Sequence, residues 1–185
     1  MASISDITLV AQVATFGSER AFAKLVERHQ EAVRQTLRSL CEGDTMLADD
    51  LAQETFIKAW QGIATFRAMS GFRTWLISIA YHVFLDNRRA ASHNALTDAT
   101  DISDMQHGGM PNTAIPDTST MLSHDIDRAM ATLNPTERTC IILQCMQGLP
   151  INEIATITDL PPNTVKSHLL RAKRKLVTFL TQNGY

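Results

Sequence analysis

The chain has 185 residues and a formal net charge of −2, a length that suits two small helical domains better than one. Its three cysteines, Cys41, Cys140 and Cys145, are an odd number without CxxC spacing, which argues against a disulfide framework or a zinc ribbon and for a reducing cytoplasm. No basic segment followed by an apolar run opens the chain, and the longest apolar stretch, between Arg73 and Asp86, is too short to span a bilayer.

The predicted elements are helical from the start. Phe22, Leu25, Val26, His29, Val33, Leu37 and Leu40 recur at helical spacing until Glu42-Gly43-Asp44 breaks the pattern. A second helix is predicted from about Met46 to Ile63, with Gly62 and the segment Thr65 to Gly71 as its exit and a loop. A third runs from Phe72 to about Ala90, apolar on nearly all sides, with Trp75, Leu76, Ile79, Ala80, Val83 and Phe84 on the better stripe. It is expected to be central to the first domain, with Trp75 in the core. His82 and Asp86 lie four apart on it; the pair is read as structural, and no metal or cofactor is expected.

On the second helix, Ala48, Leu51, Ala52, Thr55, Phe56, Ala59 and Ile63 form an inner face, and Asp50, Gln53, Glu54, Ile57 and Gln61 point away from it. An isoleucine centred on an acidic, amide-rich face is better explained by a protein that docks there than by water.

Periodicity disappears from Ser92 to Ser123, where Gly108-Gly109, Pro111 and Pro116 sit among Ser, Thr, Asn and Asp. Between Ala90 and Asp127 there are six acids, Asp98, Asp101, Asp104, Asp117, Asp125 and Asp127, and no Lys or Arg. The expected architecture is therefore all-α: a helical domain over residues 1–91, a flexible acidic linker over 92–121, and a second helical domain over 122–185. A flexible chain of that length would reach about 30 Å.

After the linker, Ile126, Met130 and Leu133 begin a helix that stops at Asn134. Pro135 at the first helical position and Glu137 three after the Asn134 cap start another, carrying Ile141, Ile142, Cys145 and Met146 to a turn at Gly148. The stretch from Gly148 to Leu176 then reads as a helix-turn-helix. Pro161 and Pro162 end one helix, and Asn163 is the expected N-cap of the next. Val165, Leu169, Ala172 and Leu176 form a packing stripe opposite Ser167, Leu170, Arg171 and Arg174, and Ala155 is small where the two helices must cross. Leu160 to Tyr185 holds Lys166, Arg171, Lys173, Arg174 and Lys175 and no acid, which suits a DNA phosphate backbone.

Taken in order, DDLAQETFIKAWQGI, FRTWLISIAYHVFLDNRRA, the polar linker and GLPINEIATITDLPPNTVKSHLLRAKRKL resemble an extracytoplasmic-function (ECF) sigma factor of the bacterial sigma-70 family over almost the whole chain. The resemblance implies a region 2-like first domain and a region 4-like second one. It implies binding to core RNA polymerase through Asp50, Gln53, Glu54, Ile57 and Trp60. It also implies capture of unpaired −10 bases by the Thr65 to Arg73 loop and the helix after it. Phe66 and Phe72 would stack on bases there while Arg67, Arg73, Arg88 and Arg89 hold phosphates, although Phe72 is equally well explained as a core aromatic. The last helix would read the −35 element in the major groove through Asn163, Thr164, Lys166, Ser167, Leu170, Arg171 and Arg174. Arg171 is the best placed for a guanine, and Lys166 and Arg174 for phosphates. His82, on the helix after the loop, is counted among the −10 DNA-binding residues and stands where many members have asparagine, and His168 stands where many have arginine. An anti-sigma factor is the further partner the family implies.

Two other readings compete. TVKSHL also resembles the recognition helix of LuxR-type regulators, but the strand-rich sensing domain that usually precedes it has no counterpart here. A helical protein-docking adaptor would leave the acid-free final segment unexplained. An enzyme is not expected, because no paired carboxylates, nucleophile elbow or phosphate-cradling loop occurs.

Overall fold

The first three helices each begin on a side-chain cap. Ser5, Ser18 and Asp44 accept the backbone N–H groups of Thr8, Ala21 and Leu47 and so satisfy donors that the helix itself leaves open. In a computed structural model, which describes residues 5–97 and 118–184, these caps open α1 (Asp6–Phe16), α2 (Glu19–Leu40) and α3 (Thr45–Gly62). A 3-10 turn, Ile63–Thr65, and a loop lead to α4 (Phe72–Thr97). Beyond residue 117 come α5 (Thr118–Ala131), α6 (Pro135–Ile141), a π turn (Ile142–Met146), α7 (Ile151–Thr158) and α8 (Pro162–Gln182). No strand occurs among the described residues, so the all-α expectation holds.

The first lobe packs α1 to α4 around Leu25, Val33, Leu37, Leu51, Leu76, Ile77 and Val83, all nearly inaccessible to water. Burying that many large aliphatic side chains, at about 1.5–3 kcal/mol each, supplies the driving force for the bundle. Asp6 ties α1 to α2 by accepting from Arg28 Nη1 and pairing with His29 Nε2, both at 2.8 Å. Between α2 and α3 the chain reverses through Glu42 and Gly43, both at positive φ, as the break in periodicity predicts.

The edges of the expected linker are helical. α4 continues past Ala90 to Thr97, and α5 is already helical at Thr118. The physical reason lies in composition: Ala90, Ala91, Ala95 and Leu96 are good helix formers, and no Gly or Pro interrupts either edge. Asp98, Asp101, Asp104 and Asp117, with the Gly and Pro residues assigned to the linker, lie outside the described residues.

In the second lobe the predicted capping box is present. The Glu137 N–H donates to Asn134 Oδ1 at 2.8 Å, and the Asn134 N–H donates to Glu137 Oε2 at 3.2 Å. Ile154, Ala155 and Ile157 of α7 are buried with Val165, Leu169 and Ala172 of α8, the pairing of a helix-turn-helix. Its turn is made by Asp159 at φ 54; Asp is one of the few residues that adopts this left-handed conformation readily.

The two lobes also dock on each other, which the reading of two tethered domains did not foresee. Arg73 at the start of α4 donates to the main-chain oxygen and the side-chain Oε1 of Gln147, at 3.2 and 2.6 Å. Thr74 donates to Glu153 at 2.9 Å, and Arg138 forms an ion pair with Glu42. One buried apolar cluster runs through both lobes.

Candidate protein-docking and nucleic-acid surfaces

Three surfaces carry the residues singled out from the sequence. On the first, α3 turns Ala48, Leu51, Ala52, Thr55 and Ala59 into the core and leaves Asp50, Gln53, Glu54 and Ile57 in solvent. Ile57 keeps 57% of its surface exposed at the centre of that face. Trp60 differs from its neighbours: it is half-buried, with its ring edge-on to Phe22 at 5.0 Å, so it anchors α3 to α2 and presents only part of its surface. Glu54 pairs with Lys58 at 3.0 Å, and Lys58 also lies 3.7 Å from Asp86 of α4.

The second surface surrounds the loop before α4. Here the structure corrects the expected roles of the aromatics. Phe72 is only 4% exposed and packs on His29 at 5.4 Å, so the open question about it resolves to core. Phe66 is half-buried, 5.6 Å from Phe72 and 5.5 Å from Trp75, so that cluster covers part of its ring. Trp75, read as core, is instead half-buried. With Lys58, Gly62, Thr65, Ser78, Ile79 and His82 it lines a cleft of about 330 Å³ between α3 and α4.

That cleft has an aromatic and aliphatic wall, two hydroxyls, an imidazole and an ammonium, the mixture that suits a planar base extruded from a stack. His82 Nδ1 lies 2.7 Å from the main-chain oxygen of Ser78. A carbonyl can only accept, so Nδ1 carries the proton and Nε2 is left available as an acceptor when the ring is neutral. Of the cations, Arg67, Arg88 and Arg89 are exposed. Arg89 pairs with Asp86 at 3.5 Å, and Arg88 lies 5.7 Å from the Phe84 ring. Arg73 is engaged by Gln147 in the contact between the lobes. Sequence reasoning missed the cleft because its walls come from two helices whose pairing no local pattern reveals.

The third surface is α8. Val165, Leu169 and Ala172 are buried, Leu176 is half-buried, and Lys166, Ser167, Leu170, Arg171 and Arg174 face solvent, as the 100° spacing predicts. Asn163 is not the cap. The helix begins at Pro162 with Pro161 in the cap position and no side-chain cap bond; Pro at the first helical position loses nothing, since that N–H has no intrahelical partner. Asn163, exposed in the first turn, instead receives the Ser167 hydroxyl on its main-chain oxygen at 2.9 Å, and Thr164 beside it is half-buried.

Beneath this helix lies Glu137 of α6, only 1% exposed. Its Oε2 accepts from Lys175 Nζ at 2.7 Å, and its Oε1 lies 3.8 Å from Arg171 Nε. Burial pushes this carboxyl upward, but hydrogen bonds from Lys175 and the Asn134 N–H, with the charges of Lys175 and Arg171, outweigh it and hold Glu137 below the usual carboxylate range. The sequence marked Glu137 as a capping residue alone.

Comparison with known proteins agrees with this layout. Residues 25–94 match the Sigma-70 region 2 model and residues 123–176 the Sigma-70, region 4 model. The chain is 32% identical over 183 residues to the ECF RNA polymerase sigma-E factor of Salmonella typhimurium (strain LT2), covering 94% of this chain and 93% of that protein. The same figures hold for the Escherichia coli (strain K12) protein of that name, and the Haemophilus influenzae one is 31% identical over 186 residues, 94% of each chain. The chain belongs to the ECF sigma factors of the sigma-70 family. Among solved structures, CnrH in complex with the cytosolic domain of CnrY superposes with a TM-score of 0.70 at 26% identity, covering 97% of this chain and 99% of that one. RpoE from Bartonella quintana, in complex with the anti-sigma factor NepR, gives 0.70 at 24% identity over 86% and 96% of the two chains.

Among the described residues no helix is long and apolar enough to cross a membrane, and no group of three or more His, Cys, Asp or Glu side chains could hold a metal ion.

Proposed function

We propose that this chain joins core RNA polymerase through the exposed face of α3, opens the −10 element with the loop and cleft before and along α4, and reads the −35 element with α8. Residues 1–91 form the region 2-like unit and 122–185 the region 4-like unit. The observation that carries the reading is the coexistence, in one chain, of an acidic face with an apolar centre at Ile57 and a separate acid-free helix presenting Lys166, Arg171 and Arg174. The first suits a protein partner and the second a phosphate backbone.

At the −10 element the structure favours base capture in the cleft by Trp75, Ser78, Ile79 and His82, with Arg67, Arg88 and Arg89 on phosphates. Arg73 joins them once it leaves Gln147. At the −35 element Leu170, 54% exposed, is placed to meet a thymine methyl group, and Asn163, Thr164, Lys166, Ser167, Arg171 and Arg174 supply polar contacts. Phosphodiester chemistry belongs to the polymerase, and the site of action is the cytoplasm, where promoter DNA lies. An anti-sigma factor is the third proposed partner. The solved relative CnrH is held by the cytosolic domain of CnrY, which supports a dedicated protein partner for this fold.

The experiment is reconstitution: core polymerase with and without the chain, on a library of genomic fragments, scored for transcripts with defined starts. A LuxR-type regulator would give no such transcripts without a resident sigma factor.

A further inference from the structure

Resting on the −35 reading just given, we propose that Glu137 and His168 are positioning residues that hold Arg171 for end-on recognition of a single base. Arg171 is the one cation of the exposed α8 face that the structure shows between two acceptors. Glu137 Oε1 lies 3.8 Å from its Nε, and His168 Nδ1 lies 3.3 Å from its Nη2. Arginine has only N–H groups to offer, so the His168 nitrogen facing it is the acceptor and the imidazole is neutral in this arrangement.

The donor inventory then decides what remains. Of five N–H groups, the one on Nε faces the buried carboxylate and one on Nη2 faces His168. Three N–H groups, both on Nη1 and one on Nη2, are left untaken by these two acceptors. One donor from each terminal nitrogen is thereby left for a guanine O6 and N7, while Nε and the other Nη2 donor are turned to the protein.

Glu137 is well fitted to be the fixed point. It is buried, its other oxygen is held by Lys175 at 2.7 Å and by the Asn134 N–H at 3.2 Å, and its own backbone is set by the capping box. A long side chain on an exposed helix face otherwise samples many rotamers; two acceptors limit that freedom before DNA arrives, and preorganisation improves discrimination. His168 stands where arginine is common in the family, and a like charge there would remove one of the two acceptors.

The test uses the full chain in complex with core polymerase and duplexes randomised across the −35 element, comparing wild type, Arg171→Ala, Glu137→Gln, His168→Ala and each of the last two combined with Arg171→Ala. Gln in place of Glu137 can still accept from the Asn134 N–H, so the cap survives, and thermal unfolding checks that it does. The expected result is that Arg171→Ala abolishes the preference for guanine at one position. Glu137→Gln and His168→Ala should each weaken that same preference at least threefold without changing average affinity for the pool, and should add nothing in the Arg171→Ala background. If both leave the preference intact, or reduce affinity for every sequence alike, Glu137 and His168 do not position the reader. If Arg171→Ala itself leaves base preference unchanged, the −35 assignment of Arg171 falls, and the positioning role with it.

Discussion

Arg73 and Gln147 are joined by two hydrogen bonds, 2.6 Å from Nη2 to Oε1 and 3.2 Å from Nη1 to the main-chain oxygen, and they belong to different lobes. Two of the five N–H donors of this guanidinium are taken by Gln147, which keeps Arg73 in the seam between the lobes. The −10 and −35 elements are some 25 base pairs apart, about 85 Å of duplex at 3.4 Å per pair, so lobes in contact cannot occupy both. Gln147→Met keeps side-chain volume and removes the closer, side-chain acceptor, leaving only the main-chain oxygen at 3.2 Å. We expect wider separation of fluorophores placed on α3 and α8, and tighter binding of single-stranded −10 DNA. A hydrogen bond to a charged donor contributes about 1.5–3 kcal/mol, so the shift should be clear. An unchanged distance distribution would mean that the other contacts between the lobes, Thr74–Glu153, Arg138–Glu42 and the apolar cluster, hold them together without this bond.

Replacing Ile57 with Asp should weaken the complex with core polymerase by at least tenfold while leaving helicity and melting temperature near wild type, because the side chain is mostly in solvent and contributes little to the fold. Co-sedimentation and circular dichroism check the two halves of that statement. Trp60→Ala should behave differently and lower stability as well, since its ring packs on Phe22.

Glu137 links the second lobe to acidity. Its folded value lies below the ordinary 4.5, so the unfolded chain takes up a proton at higher pH than the folded one does. The stabilisation is therefore full above about pH 4.5 and is lost as pH falls through the lower folded value. Glu137→Gln should flatten that loss of stability in acid and cost about 1 kcal/mol near pH 7. Denaturant melts at pH 7 and pH 4 on the wild-type and variant chains measure both effects.

Phe72→Ala should cost about 3–5 kcal/mol, as truncation of a buried aromatic does. His82→Ala should cost almost nothing in stability yet change the base preference for single-stranded −10 oligonucleotides, because His82 lies at the edge of the cleft and is exposed. Should His82→Ala leave that preference intact, base capture moves away from the cleft.

Legibility in the sequence followed the range of the interactions. The α8 stripe, the α6 capping box and the α3 faces are local, set by spacing within one helix or by a four-residue motif, and the structure has them where the pattern puts them. Asn163 was misplaced as a cap because Pro161 and Pro162 can themselves open a helix, and a cap preference is only a modest bias beside that. Phe66, Phe72 and Trp75 are harder to place from sequence for another reason: how far an aromatic is buried depends on His29 of α2 and on the α3–α4 pairing, and neither leaves a mark nearby in sequence. The Arg73–Gln147 contact spans 74 positions, with nothing at either end to announce the other. Glu137 was legible as a cap and illegible as the partner of Lys175, 38 residues on.

The central claim is that this chain gives core RNA polymerase its promoter specificity. The most direct measurement is transcription by purified core polymerase on genomic fragments, with and without the purified chain, with start sites mapped by sequencing of the transcripts. The account predicts discrete starts that appear only when the chain is added, share a −35 and a −10 element, and become weaker with Ile57→Asp. Transcripts identical with and without the chain, or a chain that does not bind core polymerase at all, would contradict it.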